Sequence, residues 1–375
     1  MNILRRLPLS RLLLLCAVVV AVGISATALA FALNPGPIPP PKPLADAVHE
    51  ALAAPPVEGV SANVQLTDHL LEGANLASGG GEASQLTSSP LLSGASGRLW
   101  IAKDGRVRLE LQAEKGDTQI IYSGHTLSLY DAASNTLYRY TLPPREAGSP
   151  TSGAGSGSQH HEIPTVAKIE EAISHLSSHA RISGATPTDI AGQAAYTLRI
   201  APTEGGSQIG GAELSWDAVH GTPLRAAIYS STSSSPVIEL AATEISYGPV
   251  EASVFEFTPP PGAKIHEASA QANGATESGS SQPSGASTGA SHPKVTIHGK
   301  GITGIAVIES QGNEGAQKSA AALPEGLPTV KINGISATEL PTALGTLLSF
   351  ERSGVRYLLV GAVTPAAIEA VARGL

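Results

Sequence analysis

Apolar residues run without a charge from Leu12 to Leu33, behind Arg5, Arg6 and Arg11. At about 1.5 Å per helical residue this run reaches roughly 33 Å, enough to cross a bilayer core. Ala28-Leu29-Ala30 also offers a small-residue cleavage site before Phe31, so residues 1–33 are either a cleaved signal peptide or a retained transmembrane anchor. Under both alternatives the arginines stay inside and the remaining chain is extracytoplasmic. Arg5-Arg6 reads as an ordinary positive n-region, because Pro8 interrupts the twin-arginine pattern.

After this run the period of the pattern changes twice. Residues 34–43, NPGPIPPPKP, favour polyproline geometry and make a semi-rigid stalk. A helical period follows, with Leu44, Val48, Ala51 and Leu52 on one face, and Pro55-Pro56 stops it. From there the period is 2: Val60-Ala62-Val64-Leu66, Leu99-Ile101, Val107-Leu109-Leu111, Ile120-Tyr122, Leu127-Leu129 and Tyr138-Tyr140. Val107, Leu109 and Leu111 alternate with Arg106, Arg108, Glu110 and Gln112, which predicts one apolar and one solvated face. Lys103-Asp104-Gly105, Ser123-Gly124 and Ala133-Ser134-Asn135 supply turns at the spacing of successive antiparallel hairpins.

A helix is predicted from about Pro164 to His179, between a Gly/Ser-rich stretch ending near Gln159 and a second series of strands. That series comprises Tyr196-Leu198-Ile200, Leu214-Trp216, Leu224-Ala226-Ile228, Ile238-Leu240, Ile245-Tyr247 and Phe255-Phe257, and Pro259-Pro260-Pro261-Gly262 should end it. About eleven strands with two helices exceed what one flat open sheet accommodates. The fold class expected is α+β, mainly antiparallel β, with a strongly curved half-barrel sheet wrapping helices over residues 44–265. Residues 266–293 are rich in Ser, Gly and Ala and form a linker. Residues 294–375 make a small C-terminal α+β unit, with strands at Val295-Ile297, Ile305-Ile308, Val330-Ile332, Leu347-Arg352 and Val355-Val360. Thr364 caps its final helix, with Pro365 at the first position and Gly374 past the end.

Charge and composition narrow the function. A net charge of −8 offers no basic footprint, so nucleic acid is set aside as a partner. The single cysteine, Cys16, lies inside the N-terminal apolar run, which excludes disulfides and thiolate metal sites from the exported part. Gly285-Ala286-Ser287-Thr288-Gly289 fits a hydrolase elbow but lies in the low-complexity linker. Gly299 to Gly304 fits a dinucleotide fingerprint, yet the IAVIES that follows has strand character where a helix N-terminus is needed. Glu171, His175 and His179 share a helix face at i, i+4 and i+8, with His160-His161 in the preceding loop; a solvated face is the expectation, and a metal-dependent enzyme the remote alternative. No catalytic residue, metal or cofactor is expected.

Several segments together resemble the extracytoplasmic LolA/LolB/RseB-like family, the lipoprotein-carrier fold: DAVHEALAAPPVEGVSANVQL, GRLWIAKDGRVRLEL, GDTQIIYSGHTLSLYDAASNTLYRYTLP, GQAAYTLRI, AELSWDAVHGTPLRAAIY and VFEFTPPPGAKI. The resemblance covers about residues 44–265 and implies a curved antiparallel sheet around an apolar cavity plugged by helices. It implies a non-enzymatic protein binding a lipid or a lipoprotein acyl chain. Its RseB branch implies the alternative, an envelope sensor docking a membrane protein such as an anti-sigma factor. The cavity candidates are Trp100, Val107, Leu109, Leu111, Ile120, Leu127, Leu129, Tyr138, Tyr140, Leu198, Leu214 and Trp216. Strand period alone leaves open which face is concave, because a shift of one residue exchanges the faces.

Overall fold

The computed structural model describes residues 36–72, 74, 90–114, 116–142, 163–269, 294–311, 323 and 326–375. The N-terminal apolar run, the hydrolase-like Ser287, His160-His161 and most of the Ser/Gly/Ala-rich segment lie outside the described residues. Among the described residues no helix is long and apolar enough to cross a membrane.

Two sheets carry the molecule. Among the described residues the larger has 13 strands in a curved path that does not close, and the smaller has 6. In the larger sheet, β1 (Gly59–Asp68) pairs on one side with β2 (Ala95–Ala102), which leads through β3 (Val107–Ala113), β4 (Gly116–Ser123) and β5 (Thr126–Asp131) to β6 (Thr136–Thr141). On its other side β1 pairs with β12 (Pro236–Tyr247), followed by β11 (Pro223–Ser230), β10 (Ile209–Asp217), β9 (Gln193–Pro202) and β7 (Ala180–Ile182), while β8 (Thr186–Ile190) folds back on β9. These neighbours are antiparallel, as the hairpin turns require. The exception is β13 (Lys264–Ser269), which runs parallel to β6.

The helices sit on one face. α1 (Leu44–Ala53) buries Ala45 and Ala47 and packs with Leu44, Val48 and Ala51 on Tyr196, Trp216 and Leu198. Leu52, expected on that face, is instead exposed. The short α2 (Pro90–Ser93) brings Leu91 onto Ala62, Val64, Leu66 and Leu111. α3 (Val166–Ser177) starts where the Thr165 hydroxyl accepts from the Lys168 amide at 3.4 Å; it packs on α1 and β7 with Ile169 buried, leaving Glu171, His175 and His179 in solvent. The end of the Pro-rich stretch is fastened to the sheet, because the Tyr196 hydroxyl donates to the Pro40 carbonyl at 2.7 Å and Lys42 bridges to Ala185.

The opposite face is covered over β3 to β5 by residues 252–257. Phe255-Phe257, expected as a strand, forms a 3-10 turn and an extended tail whose Phe257 ring packs 5.3 Å from Tyr130. Arg108, expected in solvent, donates to the Val254 and Glu256 carbonyls at 2.7 and 3.2 Å and pairs with Glu110 at 2.6 Å. The alternation at positions 106–112 was therefore correct in parity but not in solvation. Beneath the segment Ile121, Tyr130 and Leu137 are buried. Pro259 to Gly262 turn the chain without ending the sheet, and β13 then reaches Ser269, past the expected linker boundary.

The smaller sheet runs β14 (Lys294–His298), β15 (Ile305–Gln311), β19 (Val355–Gly361), β18 (Gly345–Arg352), β17 (Ile335–Thr342) and β16 (Thr329–Ile332). α4 (Pro365–Arg373) closes its core with Ile368 and Ala372 against Val307, Leu348 and Leu359. Thr364 occupies the N-cap position, but its side chain makes no cap bond. β17 escaped the sequence pattern because Glu339 and Pro341 interrupt it. Gly299 to Gly304 is a turn between antiparallel strands, with no helix after it. The two sheets touch: Gln208 N donates to Ala362 O at 2.7 Å and Ala343 N to Leu70 O at 2.9 Å, and Ala74 packs with Leu327 and Leu340.

Gly221 shows how tightly α1 is seated. Its φ is +66°, and a Cβ there would lie 2.2 Å from the Ala51 carbonyl oxygen. Gly221→Ala should destabilise by about 2 kcal/mol or more through strain and displacement of α1. Gly192→Ala, at φ +72° but in open space, should cost about 1 kcal/mol; urea unfolding of the two variants checks the difference. In the smaller sheet Glu339 is 6% exposed and its Oε1 has no partner. Burial, with a smaller push from Glu369, raises its pKa. The fold thus accommodates the neutral carboxyl, and stability is lost as pH rises from the unfolded pKa through the raised folded one. Glu339→Gln should melt higher than the parent at pH 7 and match it near pH 4, as read by thermal circular dichroism.

Candidate functional site

Residues directly opposite in an antiparallel ladder share a face, so register now assigns every expected cavity residue. Tyr138, Leu129, Ile120 and Leu109 form one row across β6 to β3, continuing to Leu99 on β2 and Ala62 on β1. Tyr140, Leu127, Tyr122 and Val107 form the next row, continuing to Ile101 and Val60. Leu111 stands on the same face, opposite Thr118. Through β1 the face continues into the other half, where Leu66, Leu240, Ala226, Leu214 and Leu198 lie in line. Beside them run Ile238, Ile228, Ala212 and Ile200. This is the face that bears the helices.

Trp100 is the exception. It stands opposite Ser61 and Arg108, which puts it on the other face. Its strand was identified, but Trp100 falls between Leu99 and Ile101, and alternation sends it away from both. Trp216 and Tyr196 are on the helix-bearing face, yet α1 consumes them: they are 5% and 2% exposed, with ring centroids 6.1 Å apart. Leu111 is 1% exposed and belongs to the core beneath α2.

What remains open on this face is apolar and sizeable. Tyr138 is 50% exposed, Leu214 42%, and Leu127, Tyr140 and Ile228 are likewise exposed. Val107, Leu109, Ile120, Leu129 and Leu198 are half-buried between these and the core. The Tyr138 ring stacks on His266 of β13 at 5.4 Å. The chemistry available is shape and apolar area, and among the described residues on this face no nucleophile is paired to a base. Ile228 and Ile238 were legible as strand residues, but only the register shows that they lie on the same face as Leu240 and Leu214.

The segment WDAVHGTPLR, part of the family resemblance, is architectural. The Asp217 carboxylate, 1% exposed, accepts from the Tyr247 hydroxyl at 2.6 Å, the Val219 amide at 2.7 Å and the His220 amide at 2.9 Å. Burial alone would raise its pKa, but these donors outweigh burial and hold it below the usual carboxylate range. Arg225 pairs with Glu213 at 2.8 Å and Glu239 at 2.6 Å, and Arg199 joins Glu213 at 2.8 Å, lacing β9 to β12 on the face away from the helices.

No family model and no curated protein matches this chain. Solved structures are similar at low identity. A chain of the Pseudomonas aeruginosa MucA/MucB complex is 13% identical over 88% of this chain and 96% of its own, with a TM-score of 0.40. An uncharacterized conserved protein from Thermus thermophilus is 11% identical over 60% and 97%, with a TM-score of 0.33. A LolA superfamily protein from Nitrosomonas europaea is 10% identical over 58% and 98%, with a TM-score of 0.23.

The division between core and open face has a direct test. Leu111→Ala should cost about 2 to 5 kcal/mol, as for other fully buried leucines. Tyr138→Ser and Leu214→Ser should each stay within about 1 kcal/mol of the parent. Chemical denaturation that ranks Leu214→Ser with Leu111→Ala would show that the face is covered.

Proposed function

We propose that this chain is an extracytoplasmic, non-enzymatic binding protein of the LolA/RseB-like class. Its helix-bearing sheet face receives an acyl chain of a lipid or lipoprotein. The observation that carries this is the set of large apolar side chains left exposed on one face, Leu127, Tyr138 and Tyr140 at one end and Leu214 and Ile228 at the other, whose continuation between them is the protein's own core. Covering such side chains stabilises by about 0.8 kcal/mol per buried methylene, so a few ordered methylenes of an acyl chain give measurable affinity. The arginine-led apolar run at residues 12–33 supports an extracytoplasmic location by cleavage or by anchoring. The ligand contacts proposed are Val107, Leu109, Ile120, Leu127, Leu129, Tyr138, Tyr140, Leu198 and Leu214; Trp100, on the other face, and the buried Leu111 and Trp216 are not part of this proposal.

A second reading is an RseB-like sensor that docks a membrane protein such as an anti-sigma factor. The edge strand β14 favours it: Val295 and Ile297 are 58% and 73% exposed, and among the described residues one side of the strand is unpaired, as an incoming extended segment would require.

Delipidated protein titrated with a fluorescent palmitoyl probe separates the two. Binding at micromolar concentration, weakened by Leu214→Asp and untouched by Ile297→Asp, is the result expected for acyl binding. A protein that takes up neither the probe nor lipid, by fluorescence and native mass spectrometry, overturns it.

A further inference from the structure

The face away from the helices opens into a cleft of about 450 Å³, lined by Ser61, Asn63, Arg98, Trp100, Glu244 and Ser246. The ladder explains why these side chains converge. Ser61 is opposite Trp100 on β2 and Ser246 on β12, and Asn63 is opposite Arg98 and Glu244. Two short rows thus cross three adjacent strands about 4.8 Å apart. Next to them the register of β1 on β12 slips between Asn63 and Val64, so that Thr243 is an extra residue on β12. A bulge of this kind bends the strand and re-aims its side chains. Ala62 and Ile245 also border the cleft, but register turns their side chains to the helix-bearing face.

The chemistry of this group differs from that of the apolar face. It combines a flat indole, a guanidinium, a carboxamide, a carboxylate and two hydroxyls. Arg98 has no ion-pair partner among the described residues. Glu110, opposite it on β3, is held by Arg108 at 2.6 Å, and Glu244 accepts from the Asn63 amide at 2.6 Å. An acyl chain gains little in such a polar cleft. A sugar ring fits its chemistry: the C–H face packs on an indole, the hydroxyls exchange hydrogen bonds with amide, carboxylate and hydroxyl groups, and an anionic substituent meets the free guanidinium fork.

We infer that this cleft binds an acidic saccharide, its ring on Trp100 and its carboxylate or phosphate on Arg98. The same chemistry is offered by a soluble acidic polysaccharide and by an anionic sugar headgroup on a lipid. Calorimetric titration of the full-length chain with hexagalacturonate, maltohexaose and phosphatidylinositol vesicles distinguishes these sources. Hexagalacturonate should bind more tightly than maltohexaose. Trp100→Ala should weaken it by about tenfold or more, which corresponds to about 1.4 kcal/mol, and Arg98→Gln should abolish the preference for the acid. Circular dichroism should show both variants folded. Binding to the vesicles alone, lost in Trp100→Ala, supports the site with a headgroup as its ligand. If none of the three probes binds at millimolar concentration, or if binding is unchanged in both variants, the assignment is overturned.

Discussion

The pairing of β1 with β12 holds the larger unit together. Val60 stands opposite Tyr247 and Asp68 opposite Ile238, residues brought together across nearly the whole length of that unit. On either side lies a meander of short hairpins, each dependent on local turns. Without this long-range ladder each half would expose an edge and leave one face of its strands short of partners. The ladder makes the apolar rows of the two halves continuous through Val64 and Leu66, which share a core with Leu111 and Leu240. Its bulge lies beside the polar cleft on the reverse side.

A sheet covered unequally on its two faces divides the chemistry. α1 and α2 fill part of one face and leave Tyr138, Tyr140 and Leu214 open at either end. The other face is shut over β3 to β5 by Phe255 and Phe257, with Arg108 pinning the backbone that carries them. Over β9 to β12 it is laced by Arg199, Glu213, Arg225 and Glu239. The open apolar side chains on β5, β6, β10 and β11 and the polar cleft on β1, β2 and β12 therefore lie on opposite faces of one sheet.

The second sheet adds a different constraint. Among the described residues it joins the first through two main-chain hydrogen bonds and a small cluster around Leu327 and Leu340. It has its own core, closed by α4. Its buried unpartnered carboxyl, Glu339, makes that core sensitive to pH in the direction opposite to Asp217, whose carboxylate is stabilised by donors on every side.

Much of this was written in the order of residues. Period 2 located most strands of the larger sheet, the Asp104-Gly105 and Ser123-Gly124 turns set its hairpins, and the helical period with its Pro55-Pro56 stop gave α1. These features are local, and local steric and patterning rules suffice for them. Hidden from the sequence were β7 and β8, which are short, β13, whose pairing is parallel and distant, and β17, where Glu339 and Pro341 break the pattern. The fates of Trp100, Trp216 and Arg108 were also decided only in three dimensions. Strand parity sent Trp100 to the reverse face, the seating of α1 at Gly221 buried Trp216, and the return of residues 252–257 turned a solvated arginine into a clamp. Sequence period fixes which residues alternate, whereas which face meets a helix, a returning segment or solvent depends on partners far along the chain.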